Sequence, residues 1–184
     1  VDKFKVNTDD TLLLVIDVQE RLAPAMAPER FGRMLDNLER LGAAAKALQL
    51  PTVLTEQYPK GLGPTVSSVR TAFEGVPTLS KTSFSAMGDP EIAKAVQFAG
   101  KSTVLVAGME THVCVWQTVR DLLPTHRVHL LTDAVASRAD ANYEVGLNLA
   151  REAGAVLSSV EVVLFDMLEA AGGETFKAIS KIVR

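Results

Sequence analysis

Two rhythms of apolar residues alternate along this chain. Runs such as residues 11–17 and Thr103-Val104-Leu105-Val106-Ala107-Gly108 are apolar at nearly every position, as expected of a strand buried on both faces. Between such runs the period becomes helical. The spacing predicts a long helix over 28–49, with Phe31, Leu35, Leu38, Leu41 and Leu48 near helical spacing. Further helices are predicted over 66–73, 89–99, 115–123, 140–153 and 160–171, with a short tail over 175–183. Strands are predicted over 11–17, 51–55, 77–80, 103–108, 127–132 and 155–158, and the Pro- and Gly-rich stretch 56–64 reads as a loop. Asp89-Pro90 opens a helix, because Asp suits the N-cap and Pro the first helical position.

Strand and helix alternate without internal repeats or low-complexity stretches, which predicts an α/β fold: a six-stranded parallel sheet with helices on both faces, a Rossmann-like three-layer arrangement. The chain has 184 residues, 47% of them hydrophobic, enough for one compact core, so a single domain over 1–184 is expected. In open parallel sheets ligands bind beyond the carboxyl ends of the strands, near the point where strand order reverses. Asp17 ends the first predicted strand, Lys81 follows the third and Cys114 follows the fourth, so all three reach one rim.

Charge and composition narrow the partners. Lys and Arg number 19 against 22 Asp and Glu, a net charge of −3 without a basic cluster, which lacks the electrostatic footprint of a nucleic-acid binder. A small neutral or cationic molecule is the expected ligand. The start Val1-Asp2-Lys3-Phe4-Lys5 has no apolar stretch of signal-peptide type, and no apolar run approaches the roughly 18 residues of a membrane span. A soluble protein without a membrane partner is expected. One cysteine makes no internal disulfide, and with three scattered histidines it makes no metal-finger spacing. A reducing cytoplasm fits such a chain.

Cys114 is predicted in the first turn of a helix, where unpaired N–H groups and the helix dipole stabilise a thiolate. A thiol attacking a carbonyl needs a base, a cation and donors for the oxyanion. An acid buried at a strand end serves as base, because desolvation raises its pKa while a nearby Lys lowers it again. The loop before Cys114 offers backbone N–H groups for the oxyanion. Taken singly, each residue also has a structural role: Cys114 as core filler, Asp17 as a turn cap, Lys81 as solvated surface. Their joint placement at three strand ends favours chemistry.

Leu14-Val15-Ile16-Asp17-Val18-Gln19, Leu79-Ser80-Lys81-Thr82-Ser83-Phe84-Ser85 and Gly108-Met109-Glu110-Thr111-His112-Val113-Cys114-Val115 together resemble the isochorismatase-like cysteine hydrolases. The resemblance covers nearly the whole chain in the right order. The stretch Leu54-Thr55-Glu56-Gln57-Tyr58-Pro59-Lys60-Gly61-Leu62-Gly63-Pro64-Thr65 is similar to the branch called isochorismatase domain-containing proteins.

The resemblance implies a catalytic triad of Asp17, Lys81 and Cys114 in an amidase-type hydrolase. Asp17 accepts the thiol proton, Cys114 forms a thioester as ammonia or an amine leaves, and Lys81 orients Asp17. It further implies a cis Met109-Glu110 peptide and an oxyanion hole from the N–H groups of Glu110 and Cys114, as well as a homo-oligomer, dimer or higher. The related nicotinamidases hold a metal through an Asp-x-His segment, whereas the matching stretch here is Glu56-Gln57-Tyr58, so no catalytic metal and no cofactor are expected.

Gln19, Glu56, Gln57, Tyr58 and Phe84 are candidates for the substrate pocket, with the alternative for Gln19 that it ties down a turn. His112 stands two residues from Cys114, a spacing that points the two side chains to different sides of a helix. Three other readings stay open at this point. One is a redox-sensing or non-catalytic thiol protein; another is hydrolysis of a vinyl ether as in isochorismatases, some of which lack the cysteine. The third is an interaction subunit whose tail, with Phe176, Ile179, Ile182 and Val183, packs on a partner.

Overall fold

The computed structural model describes residues 2–183; Val1 and Arg184, the two ends of the expected domain, lie outside the described residues. Six strands form one sheet: β1 (Thr11–Ile16), β2 (Thr52–Gln57), β3 (Thr78–Lys81), β4 (Thr103–Met109), β5 (Arg127–Ala136) and β6 (Val156–Ser158). Their order is β3-β2-β1-β4-β5-β6 and every neighbouring pair is parallel, as the alternation predicted. The helices are α1 (Pro28–Leu48), α2 (Pro59–Leu62), α3 (Ser67–Ala72), α4 (Pro90–Ala99), α5 (Trp116–Leu122), α6 (Asp140–Ala153), α7 (Val160–Leu168) and α8 (Gly173–Ile182).

β1 shows why its apolar run is unbroken. Leu13 and Val15 enter one core with Leu38 and Leu41 of α1 and Val163 and Leu164 of α7. Leu12, Leu14 and Ile16 enter a second core with Ile92 and Val96 of α4 and Val119 and Leu122 of α5. With helices over both faces, a polar side chain inside this strand would lose its water without gaining a partner. α4 begins as its sequence predicts: the Asp89 carboxylate accepts from the N–H groups of Glu91 and Ile92, with Pro90 in the first turn.

Several boundaries differ from expectation. β2 runs on through Glu56 and Gln57, expected in a loop, because these residues pair with Ser80 and Lys81 of β3. β5 continues past Thr132 to Ala136 despite polar Thr132 and Asp133, and its register against β4 shifts between Val106 and Gly108. Asp133 accepts from the N–H of Val160 and so caps the start of α7; burial pushes its carboxyl up, and that N–H pulls it back down. α7 stops at Leu168 rather than near residue 171. The tail that the interaction-subunit reading set against a partner is α8, which packs on α1 of its own chain, with Ile179 fully buried and Ile182 and Val183 against the same core. No helix among the described residues is long and apolar enough to cross a membrane.

Candidate active site

β1 and β4 are adjacent, yet the chain leaves them toward opposite edges of the sheet, so the strand order reverses at their carboxyl ends. Their approach is unusually close at one point. Gly108 has φ +119, and a Cβ built there would lie 2.0 Å from the carbonyl oxygen of Ile16, so only glycine fits. One residue beyond Ile16, Asp17 turns into the left-handed region at φ +51, which Asp tolerates better than most residues.

The Asp17 side chain is withdrawn from water. Its Oδ2 lies 2.6 Å from Lys81 Nζ, and its Oδ1 accepts from Thr55 Oγ1 at 2.7 Å. Lys81 closes β3, and its ammonium also donates to Gln57 Oε1 at 2.7 Å, the Phe84 carbonyl at 3.0 Å and the Ser83 carbonyl at 3.2 Å. Four acceptors thus surround three N–H bonds. A buried ion pair is tolerated when its remaining hydrogen-bonding capacity is satisfied in this way.

Cys114 sits in a π-turn, Thr111–Val115, between β4 and α5, and is 7% exposed. This corrects the expectation of a thiolate stabilised by a helix N-terminus. Burial is the largest influence on the thiol and pushes it up to about 12; the Asp17 charge pushes the same way, and Lys81 partly opposes both. The structure pairs Asp17 with Lys81 directly, and the charges of both act on the buried Cys114 thiol. A thiol, a carboxylate and the ammonium that holds it are the groups that moving a proton off sulfur as a bond forms would require.

Residues not singled out in the sequence hold this arrangement. Thr118 Oγ1 donates to the Cys114 carbonyl at 2.6 Å and accepts from the Ala86 N–H at 2.9 Å, tying the π-turn to the loop beyond Lys81. The only signal for it is a Thr four residues after Cys114, where a hydroxyl reaches back along a helix. Gly146 of α6 lets that helix lie against the turn, since a Cβ there would meet the Thr111 carbonyl oxygen at 2.8 Å. The Met109-Glu110 peptide is cis. His112 Nδ1 lies 3.0 Å from Ser137 Oγ and is engaged away from Cys114.

Three of the pocket candidates have their polar atoms engaged within the protein. Gln19 is fully buried, its Nε2 donating to the carbonyls of Gly63 and Gln57 and its Oε1 accepting from the Gln57 N–H, so it ties down the turn. Gln57 divides its amide between Lys81 and the Thr82 carbonyl. Glu56 turns to Thr65, accepting from its N–H at 2.6 Å and its hydroxyl at 2.7 Å. Tyr58 and Phe84 are the candidates left open to solvent, each 54% exposed. Tyr58 helps line a cleft of about 500 Å³ with Pro59, Lys60, Ser80, Thr82 and Asp89, which reaches Lys81.

A parallel three-layer α/β sheet with a buried carboxylate, ammonium and thiol at its strand-order reversal defines an α/β protein of isochorismatase-like hydrolase type. The sequence pattern of the isochorismatase domain matches residues 11–162, and the chain belongs to that family. It is 34% identical over 180 residues to isochorismatase domain-containing protein 2 of Danio rerio, covering 97% of this chain and 89% of that one. Among solved structures, the MAR1 ribonuclease of Caenorhabditis elegans superposes with a TM-score of 0.90 at 34% identity, covering 97% of this chain and 92% of that one. The YcaC gene product of Escherichia coli, described as an octameric hydrolase of unknown specificity, gives a TM-score of 0.84 at 25% identity, covering 90% of this chain and 83% of that one.

Proposed function

We propose that this chain is a metal-independent cysteine hydrolase that cleaves the carbon–nitrogen bond of a small amide. The observation that carries this reading is the buried Asp17–Lys81 pair at the strand-order reversal, with the buried Cys114 thiol within reach of both charges. Asp17 takes the proton as Sγ bonds to the carbonyl carbon, and the oxygen becomes an oxyanion held by the N–H groups of Glu110 and Cys114. The carbon–nitrogen bond then breaks, the nitrogen takes the proton from Asp17, and ammonia or an amine leaves a thioester. Water, deprotonated by Asp17, releases the acid and restores the thiol. Lys81 keeps Asp17 in place and charged throughout. Tyr58 and Phe84 stand at the mouth as walls for an uncharged substrate.

A thiol pushed up to about 12 argues against redox sensing, because oxidation by peroxide follows thiolate character and exposure. Vinyl ether hydrolysis has no use for the thiol. The ribonuclease activity named for the nematode protein has no electrostatic counterpart here, where acids outnumber bases 22 to 19. A homo-oligomer in a reducing cytoplasm completes the proposal, and light scattering on the purified protein reads the subunit number. The test of function is incubation with a panel of small neutral amides, reading ammonia release and the intact mass of the protein. An acyl adduct on Cys114, absent in Cys114→Ala, supports the reading. A vinyl ether turned over equally well by Cys114→Ala would defeat it. Exhaustive dialysis against a chelator should leave turnover unchanged.

A further inference from the structure

Glu110 is 7% exposed, unusual for a glutamate, and the amide-hydrolase reading uses only its backbone. Its carboxylate is not idle. Oε2 accepts from the backbone N–H of Arg138 at 3.0 Å, and Oε1 lies 3.3 Å from the Arg138 guanidinium. The last ladder pair between β4 and β5 is Met109 with Ala136. Beyond it the chain turns away, and the Glu110 side chain takes over the lateral link that a further backbone bond would have made. The Glu110 carbonyl is engaged as well, accepting from the N–H groups of Val113 at 3.0 Å and Val115 at 3.2 Å, which starts the π-turn carrying Cys114. Carboxylate and carbonyl are therefore both anchored, in the residue that supplies one of the two N–H groups that would face an oxyanion.

We infer that the Glu110 side chain is a positioning residue, clamped by Arg138 so that the Glu110 N–H is held where the carbonyl oxygen of a substrate becomes negative. The inference rests on the amide-hydrolase reading. The Arg138 guanidinium, with 59% of its side chain exposed, has a second effect: it offsets the carboxylate charge, which would otherwise repel the oxyanion. The clamp acts on the oxygen and not on the sulfur. That asymmetry separates it from a residue that merely keeps the fold.

The experiment compares two reactions of Cys114. Benzaldehyde adds the thiol across its C=O: an S–C bond forms, the C=O π bond breaks, the proton goes to Asp17, and the oxygen needs the oxyanion donors. Iodoacetamide alkylates the same sulfur by displacing iodide and needs none. In Glu110→Ala, benzaldehyde affinity should fall about tenfold or more, the order of one lost or misplaced charge-stabilising donor. The alkylation rate at the same pH should stay within about twofold, a span smaller than one hydrogen bond's worth. Glu110→Gln, which keeps an acceptor for the Arg138 N–H, should recover most of the lost affinity. Arg138→Ala alters only an exposed side chain, and it too should weaken benzaldehyde while sparing alkylation.

Unchanged benzaldehyde affinity in both Glu110→Ala and Arg138→Ala overturns the clamp alone and leaves the hydrolase reading standing. Parallel loss of both reactions in Arg138→Ala also overturns it, since that pattern marks a structural role. A wild-type protein whose Cys114 is alkylated but forms no adduct with benzaldehyde overturns the hydrolase reading and the clamp with it.

Discussion

Lys81 Nζ stands 2.6 Å from Asp17 Oδ2 with both side chains fully withdrawn from water. Separating such a pair leaves one charge stranded where water cannot reach it, which typically destabilises by about 3–5 kcal/mol. Lys81→Met should therefore lose stability on that order in chemical denaturation, as well as turnover. Removing both charges is a different matter, because nothing is then stranded. Asp17→Asn/Lys81→Met should be more stable than Lys81→Met alone while remaining inactive, and the double-mutant cycle gives the coupling. A double variant whose loss equals the sum of the two single losses would mean that the pair contributes nothing beyond its separate members.

The thiol gives a pH dependence of definite sign. Its ordinary value is 9.0, and in the folded protein burial and Asp17 push it up to about 12. Below pH 9 the thiol is protonated in both folded and unfolded chains and adds no slope. Between 9 and about 12 the unfolded chain releases this proton while the folded chain keeps it, so this contribution to stability is lost as pH rises through that window. Urea denaturation across this range should show the wild type losing stability relative to Cys114→Ala, which lacks the titrating group. The ultraviolet thiolate band should titrate at lower pH in Asp17→Asn, which removes a raising influence, and at higher pH in Lys81→Met, which removes a lowering one.

How much of this is legible in the sequence follows from what each feature depends on. The six strands and their parallel arrangement are visible because strands covered on both faces have to be apolar throughout, as Leu12 to Ile16 are. Asp17, Lys81 and Cys114 are visible as reactive residue types at strand ends. The burial of Asp17 against Lys81 is less so, because it depends on the positive φ of Asp17 and on how β1, β2 and β3 line up side by side. Gln19 and Gln57 show the limit of reading residue types. Both look like free polar groups on the rim, yet a buried amide has to find partners, and here they are backbone carbonyls, an N–H and Lys81. The thiol follows the same rule: local position suggests a stabilised thiolate, and tertiary burial outweighs it.

Three glycines divide sharply by what a methyl group would meet. At Gly108 it would collide with the Ile16 backbone at 2.0 Å on a φ of +119, so Gly108→Ala should rank among the most damaging single changes, about 4 kcal/mol or more. At Gly146 the contact is the Thr111 carbonyl at 2.8 Å, a less severe overlap on a helical backbone, so α6 and the turn have to move apart. Gly146→Ala should cost about 1–3 kcal/mol, with a disproportionate fall in kcat, because the displaced backbone belongs to the turn carrying Cys114. Gly32, inside α1, has nothing within 4 Å, so Gly32→Ala should stabilise by about 0.4–1 kcal/mol. Thermal melts of the three variants check the ranking.

Thr118 offers the cleanest separation of stability from catalysis, because Val replaces its hydroxyl with a methyl group of nearly the same shape. The hydroxyl is fully buried between the Cys114 carbonyl and the Ala86 N–H. Thr118→Val leaves that N–H without this partner, and a buried unsatisfied donor costs about 1–3 kcal/mol. It also removes the link between the π-turn and the loop whose Ser83 and Phe84 carbonyls hold Lys81. Sulfur and base are then free to drift relative to one another, and small misplacements of reacting groups lower rate more than binding. The expected outcome is a moderate fall in denaturation midpoint, a larger fall in kcat and little change in KM. Thr118→Ser keeps the hydroxyl and should recover most of the rate despite losing the buried methyl. If Ser proved as slow as Val, the lost packing and not the hydrogen-bonded link would account for the effect.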